Sequence, residues 1–419
     1  MQQDRFEADY LLETPIDVTR AADIISGEQS SGTFVAIPGE TPELKERSAA
    51  RVVALDVTER DVPGPSLASQ DGPVPGQRVT RARLTLSWPL ATIGPSLPNL
   101  MATVAGNLFE LKCVSGLKIL DIRLPDVFAT AYPGPRFGIE GTRRLAGVAS
   151  RPLIGTIIKP SVGLDAQATA ALVSQLCEAG IDFIKDDELQ SDGPACPFDA
   201  RVAAVMAVIE RHADRTGHKP MFAFNLTGDL DQMRRRHDTL LAHGATCLMV
   251  SLNSVGLVGM IELGRFSQLP IHAHRNGWGY LSRHPLLGWS YVAWQKLWRL
   301  AGADHMHVNG LSNKFSETDE SVIASAKTCL TPLFPDKPCT VMPVFSSGQT
   351  ARQAHGTFAA LGSTDLIMTA GGGVMAHPDG VAAGVRSLRE AWAAAVDGIP
   401  LADHARTHPE LGRALEVAA

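Results

Sequence analysis

The segment Gly180-Ile181-Asp182-Phe183-Ile184-Lys185-Asp186-Asp187-Glu188 ends an apolar run with one amine and three adjacent carboxylates. Gathering those anions at a strand end is electrostatically expensive unless a cation binds there, and a hard divalent metal is the natural occupant. Side chains two apart on a strand share a face, so Lys185 and Asp187 are expected to point the same way, with Glu188 turning in beside them. As an ammonium ion Lys185 is a poor ligand. Converted by carbon dioxide to a carbamate it becomes an oxygen anion, and with Asp187 and Glu188 it forms an all-oxygen set suited to Mg²⁺, which keeps open positions for water or substrate. The competing reading of these four residues is a solvated charge cluster on a loop.

Eight short apolar runs separated by helical patterns could position such a set: Leu153 to Ile158, Asp182 to Lys185, Pro220 to Asn225, Thr246 to Ser251, Pro270 to His274, Asp304 to Val308, Thr340 to Val344 and Asp365 to Thr369. Eight strand and helix units over roughly 250 residues predict a (β/α)8 TIM barrel, whose active site lies at the carboxyl ends of the strands. The unusual polar residues fall at those ends. Lys159 follows the first strand, Asn225 ends the third, and His272, His274 and Arg275 close the fifth. His305 and His307 line the sixth, Ser346 to Gly348 follow the seventh, and Gly371-Gly372-Gly373 follows the eighth. A single inward histidine such as His272 or His305 is more often a satisfied core residue. Glycine-rich turns after the last two strands are a recurrent phosphate site in this architecture, although glycine also simply ends strands. Between strands, Asp165 is placed to cap a helix that buries Leu172, Val173 and Leu176 and stops at Gly180; the next helix, from Phe198, puts Val202, Val205, Met206 and Ile209 on one face.

Ahead of the barrel, residues 1–133 read as a smaller α+β (ferredoxin-like) domain, with an alternating strand from Val79 to Trp88 and an exposed loop rich in Pro, Gly and Ser from Asp61 to Gln77. The barrel domain is expected over 134–400, and 401–419 read as a polar helical tail. A formal charge of -6 without long runs of like charge gives no footing for nucleic acid or an anionic membrane, so a small-molecule partner is expected. No signal-peptide pattern or membrane-length apolar run is present, which makes the chain a cytoplasmic protein by expectation. Six cysteines without CxxC pairing are expected to be reduced thiols.

In order and spacing these segments resemble the RuBisCO superfamily. Ile157-Ile158-Lys159-Pro160 looks like its first catalytic lysine motif, Phe183 to Glu188 its carbamylated-lysine motif, and His272-Ala273-His274-Arg275 its phosphate and catalytic histidine segment. His305-Met306-His307, Asn313-Lys314-Phe315, Met342 to Gly348 and Gly371-Gly372-Gly373 complete the set. Glu28 to Phe34 and Val104 to Asn107 resemble segments that a neighbouring subunit contributes. The chain departs from carboxylating members at Ser161, where they carry a second lysine, and at Ile157, Phe34 and Trp278. Losing a cation beside the enediolate argues against true ribulose-bisphosphate carboxylation and for a RuBisCO-like protein.

The resemblance implies Mg²⁺ on carbamylated Lys185, Asp187 and Glu188, with carbon dioxide needed for the carbamate. It implies proton transfer by Lys159 and His274. One anionic end of the substrate would be held by Arg275, His307, Ser346 and Gly348, and the other by Thr33, Gly371 and Gly372. Retention of Lys314, Glu28 and Asn107 favours a reaction that releases or adds carbon dioxide, most like the apiose-catabolic enzymes acting on 3-oxo-isoapionate 4-phosphate: a transcarboxylase/hydrolase giving 3-phosphoglycerate and glycolate, or a decarboxylase. Other readings are methionine-salvage enolisation or isomerisation, of 2,3-diketo-5-methylthiopentyl 1-phosphate or 5-methylthioribulose 1-phosphate, and a non-catalytic ligand-binding protein. A homodimer, or an assembly of dimers with shared sites, is implied.

Overall fold

The computed structural model describes residues 4–32, 37–67 and 76–417. Its strands begin with β1 (Arg5–Thr14), β2 (Arg51–Pro63), β3 (Arg78–Pro89) and β4 (Gly116–Arg123), which pair antiparallel in the order β4-β1-β3-β2. The alternation of the sequence sets the buried face: Phe6, Ala8, Tyr10 and Leu12 of β1 and Ala82, Leu84, Leu86 and Trp88 of β3 are all buried. Apolar residues of the helices Val18–Glu28 and Leu97–Val104 are buried as well. The predicted loop from Asp61 starts later, because β2 continues to Pro63 while register shifts between Val57 and Val62 absorb the unpaired residues, Asp61 taking a φ of 54°.

The barrel is closed and parallel. Its strands are β5 (Leu153–Ile157), β6 (Phe183–Lys185), β7 (Met221–Asn225), β8 (Cys247–Ser251) and β9 (Ile271–His274), then, after β10 (Leu287–Trp289), β11 (His305–His307), β12 (Met342–Phe345) and β13 (Ile367–Thr369). These fall within a few residues of the eight predicted runs. Leu153, Phe183, Met221, Cys247, Met249, Met342, Val344 and Ile367 fill part of the core. Asp165 accepts the Ala168 N–H and caps the helix Ala166–Glu178; Gly180, at φ 73°, turns the chain toward β6. Val173 and Leu176 are buried there as expected, and Leu172 is half-buried.

β10 belongs elsewhere. It pairs parallel with β4 and makes the fifth strand of the first sheet, so the chain divides into one compact unit of residues 1–132 with Gly277–Leu297 and another of Pro133–Asn276 with Trp298–Ala419. The sequence-based division at 133/134 thus holds one excursion inside the barrel's span. The region expected as a tail carries two short helices, Leu401–Ala405 and Pro409–Glu416, within the barrel's unit. All six cysteines are free thiols. Among the described residues no helix is long and apolar enough to cross a membrane.

Candidate active site

Register brings the polar strand ends level with one another: Ile157 pairs with Lys185, Lys185 with Ala223, Ser251 with His274, and His307 with Val344. The Lys185 amine is wholly buried. It donates to the Asp186 carbonyl at 2.8 Å and lies 3.3 Å from Glu188 Oε2. Burial pulls its pKa below the ordinary ammonium value, against the attraction of Glu188 and Asp187. A larger share of neutral amine follows, and the neutral amine is the form that adds carbon dioxide. Burial alone would raise the Glu188 carboxyl, but nearby positive charge outweighs it and holds the group at about 2. Charge on His274 and Lys185 and hydrogen bonds from Lys185 and the main chain share in that lowering, while burial and Lys185 push His274 itself down to about 4.

Asp187 accepts from Lys159 Nζ at 2.7 Å on one oxygen and from the Leu189 N–H at 3.1 Å on the other. Lys159 also donates to Ser161 Oγ at 2.8 Å. Asp186 faces the opposite way, as strand alternation requires. Its carboxylate is buried against Arg201 at 3.2 Å and accepts the Asn225 N–H at 2.9 Å. Arg201 is anchored in turn by the Ser191 and Cys196 carbonyls. This pair backs the cluster and leaves Lys185, Asp187 and Glu188 as the donor set; Asn225 donates to the Glu188 carbonyl at 3.2 Å and fixes the turn. With Lys185 as an amine, the set offers two carboxylates to a metal. As a carbamate it offers a third oxygen anion, and the all-oxygen set fits Mg²⁺.

The histidines form an ordered chain. His272 Nε2 meets His307 Nε2 at 2.7 Å, His307 Nδ1 meets Ser346 Oγ at 3.0 Å, Ser346 Oγ meets Ser347 Oγ at 3.3 Å, and Ser347 donates to Asn309 Oδ1 at 2.8 Å. Asn309 Nδ2 then donates to Glu317 Oε2 at 2.8 Å. Donor and acceptor balance assigns one direction along this chain, with His272 donating to His307, His307 to Ser346, and Ser346 to Ser347. It leaves a bare lone pair on His272 Nδ1, which has no hydrogen-bond partner among the described residues. Burial drives both His272 and His307 well below the ordinary imidazole value, so the two rings are neutral at pH 7. His305 Nε2 meets Thr142 Oγ1 at 2.8 Å in the core position anticipated for it, while its Nδ1, like that of His272, has no hydrogen-bond partner among the described residues. His274 Nδ1 accepts the Asn276 N–H at 3.2 Å, which puts the proton of the neutral ring on Nε2, 3.5 Å from Glu188.

Arg275 is buried and paired with Glu317, a carboxylate the sequence reading did not single out. No spacing rule links the two positions; only the fold of the loop between Asn309 and the helix Asp319–Leu330 brings Glu317 back. Gly371 lies beside Lys159, since a Cβ there would sit 3.6 Å from Lys159 Cε. Gly372 follows it in the helix Gly371–Met375, and Gly348 takes a φ of 85° after Ser346. Lys314 is not gathered with the lysines at the strand ends. It is exposed, with its ammonium 5.3 Å from the Phe315 ring centroid and its N–H directed to the Ser347 carbonyl. In the first unit, Glu28 ends its helix and Asn107 starts a short turn. Beside them Gln29 lies against Gly106, where a Cβ would overlap the Gln29 amide and stand 2.5 Å from the Ala102 carbonyl oxygen, so glycine is favoured there. Thr33 and Phe34 lie outside the described residues.

The chain matches the ribulose bisphosphate carboxylase large chain catalytic domain over residues 138–418 and the corresponding N-terminal domain over residues 10–128. It belongs to the RuBisCO large-chain family. Within that family it is a RuBisCO-like protein. It is 60% identical, over 98% of its length and 99% of the relative's, to a 3-oxo-isoapionate-4-phosphate transcarboxylase/hydrolase of Xanthobacter autotrophicus. A 3-oxo-isoapionate-4-phosphate decarboxylase of Rhizobium rhizogenes is 45% identical, over 97% of this chain and 96% of the relative. The crystal structure of a rubisco-like protein from Burkholderia fungorum superposes with a TM-score of 0.92 at 48% identity, covering 99% of this RuBisCO-like chain and 100% of the other.

Proposed function

We infer that the chain is a cytoplasmic 3-oxo-isoapionate-4-phosphate transcarboxylase/hydrolase, giving 3-phosphoglycerate and glycolate. The observation that carries the chemistry is the buried Lys185 amine beside Glu188, with Lys159 held on Asp187 at the next strand end. The 60% identity to the Xanthobacter enzyme supports the substrate. Mg²⁺ held by Asp187, Glu188 and the carbamate of Lys185 would supply charge neutralisation for the oxygens of the keto acid.

The remaining roles fall to the chain's own groups. Loss of carbon dioxide from a 3-oxo acid leaves an enediolate, and Lys159, next to Gly371, is placed to move a proton there. His274, neutral with its proton on Nε2, acts as a hydrogen-bond donor to a substrate oxygen. Ser346, oriented by His307, and the main-chain N–H of Gly348 are donors for one anionic end. Arg275 joins them once an anion competes with Glu317. Gly371, Gly372 and Thr33 are assigned the other end. Lys314 is assigned to the carboxylate that recarboxylation creates, which requires its loop to move inward from the exposed position. Glu28 and Asn107 complete the site of a second copy, making the working unit at least a homodimer.

The decarboxylase reading is favoured by one observation, the exposed position of Lys314, since protonating the enediolate needs no cation there. The protein incubated with Mg²⁺, bicarbonate and 3-oxo-isoapionate 4-phosphate separates the two by ³¹P NMR. Appearance of 3-phosphoglycerate is expected; a four-carbon ketose phosphate would replace the proposal by decarboxylation. Absence of turnover would remove this substrate and bring forward the methionine-salvage reaction.

A further inference from the structure

His404 and His408 stand four residues apart, the spacing that puts two side chains on one helical face. The turn between them is closed by main-chain bonds from Thr407 N to the His404 carbonyl at 3.2 Å and from His408 N to the Ala405 carbonyl at 3.3 Å. The two imidazoles consequently stack, with centroids 3.8 Å apart and planes 14° from parallel. Both Nε2 atoms face one oxygen of Glu390, a residue of the helix Val381–Val396: Glu390 Oε2 is 3.0 Å from His404 Nε2 and 3.2 Å from His408 Nε2. All three side chains are partly buried, and their ligand atoms lie within 4.8 Å of one another.

Donor balance makes this more than a pair of hydrogen bonds. His408 Nδ1 lies 2.8 Å from the His404 carbonyl oxygen, which can only accept, and 3.1 Å from Thr407 Oγ1, whose own proton goes to that same carbonyl at 3.2 Å, so Nδ1 carries the proton. A neutral His408 then presents a bare lone pair on Nε2 to a carboxylate oxygen that also offers only lone pairs. Two acceptors facing each other need something positive between them. A proton would answer that need by making His408 a cation stacked on the adjacent ring. A metal ion would instead use the lone pairs of all three groups, with the rings turning out of their parallel stack so that both Nε2 lone pairs aim at one point. An imidazole whose other nitrogen donates to a main-chain carbonyl is also the arrangement that orients metal-binding histidines.

We propose that Glu390, His404 and His408 form a binding site for a divalent transition ion of the zinc class, separate from the oxygen cluster at the strand ends. Tetrahedral bonds of about 2.0–2.1 Å separate ligand atoms by about 3.3 Å, close to the 3.0 and 3.2 Å from Glu390 Oε2 to the two imidazole nitrogens, and three protein ligands leave a fourth position for water. Two imidazole nitrogens with one carboxylate favour such an ion over Mg²⁺, which prefers all-oxygen sets. The site ties both C-terminal helices to the long helix before them, so its role is to hold the end of the chain against the barrel's unit.

The test uses the full-length, metal-free protein with excess Mg²⁺ present to occupy the carboxylate cluster. Zinc ion is titrated against a chromophoric chelator at pH 7.5 for the wild type and for Glu390→Gln, His404→Gln and His408→Gln. The wild type should bind one equivalent more than each variant, with that affinity falling about 100-fold on loss of a ligand. Equal uptake by wild type and variants, or no uptake by the wild type, overturns the proposal. Zinc-edge anomalous diffraction from a wild-type crystal needs no variant: a peak among the three side chains is expected, and its absence at full zinc saturation would exclude the site.

Discussion

Lys159 donates to Ser161 Oγ at 2.8 Å while its amine also holds Asp187, and Ser161 stands where the resemblance puts a second lysine in carboxylating members. One lysine tethered between a hydroxyl and a carboxylate replaces two ammonium groups that would repel. Ser161→Ala should lower kcat about tenfold with little change in KM, because a hydrogen bond to a charged amine contributes about 1.5–3 kcal/mol and here one side is open to water. Steady-state kinetics check this, and a change confined to KM would count against Lys159 as the proton carrier.

Lys185→Met keeps most of the buried volume and removes the nitrogen. Turnover should fall by about 10³ or more while the fold survives, as expected when a metal-site group is lost. In ¹³C-labelled bicarbonate with Mg²⁺, the wild type should show a carbamate resonance that this variant lacks. A wild-type spectrum without that resonance, recorded during full activity, would end the carbamate assignment.

Glu317 pairs with the buried Arg275 guanidinium. Glu317→Gln leaves a buried guanidinium without its carboxylate, which should cost about 3 kcal/mol of stability. Inorganic phosphate should recover more of the lost thermal midpoint in this variant than it adds to the wild type. Equal phosphate effects in both proteins would remove Arg275 from the anion site.

Acid sensitivity should be written into the barrel interior. Burial pushes His305 down to about 3, far below its unfolded value near 6.5. Between those limits the unfolded chain binds the extra proton, so stability is complete above pH 6.5 and falls by about 1.4 kcal/mol per unit as pH drops toward 3. Asp304, raised to about 6 by burial, works in the opposite sense between about pH 4 and 6, where the folded state holds the proton. Denaturant titrations of wild type and His305→Gln at pH 7.5 and 5.5 isolate the histidine: the gap between the two pH values should shrink in the variant. An unchanged gap would mean that His305 is not buried as a neutral ring.

The barrel was legible because each strand is a short apolar run bounded by glycine, proline or charge, and β5 to β9 and β11 to β13 fall where those runs are. The Lys185 to Glu188 cluster was legible because strand alternation decides which carboxylates turn inward, and Asp186 turned out toward Arg201 as that rule requires. Pairings made by loops were not. Glu317 reaches Arg275 through a turn that has no period, and the three residues of β10 are too few to announce that they leave the barrel for another sheet. Glu390 meets His404 and His408 only because separate helices pack, which spacing along the chain does not encode.

β10 also imposes an order on biosynthesis. Leu287–Trp289 emerges from the ribosome after five of the eight barrel strands, yet it is the strand that covers the open side of β4. Until then the nascent first sheet presents β4 as a bare edge, the kind of surface that recruits other chains. A fragment cut at residue 133 keeps that edge permanently. Production of the first sheet as an isolated, well-behaved piece therefore requires the Gly277–Leu297 segment to be supplied with it.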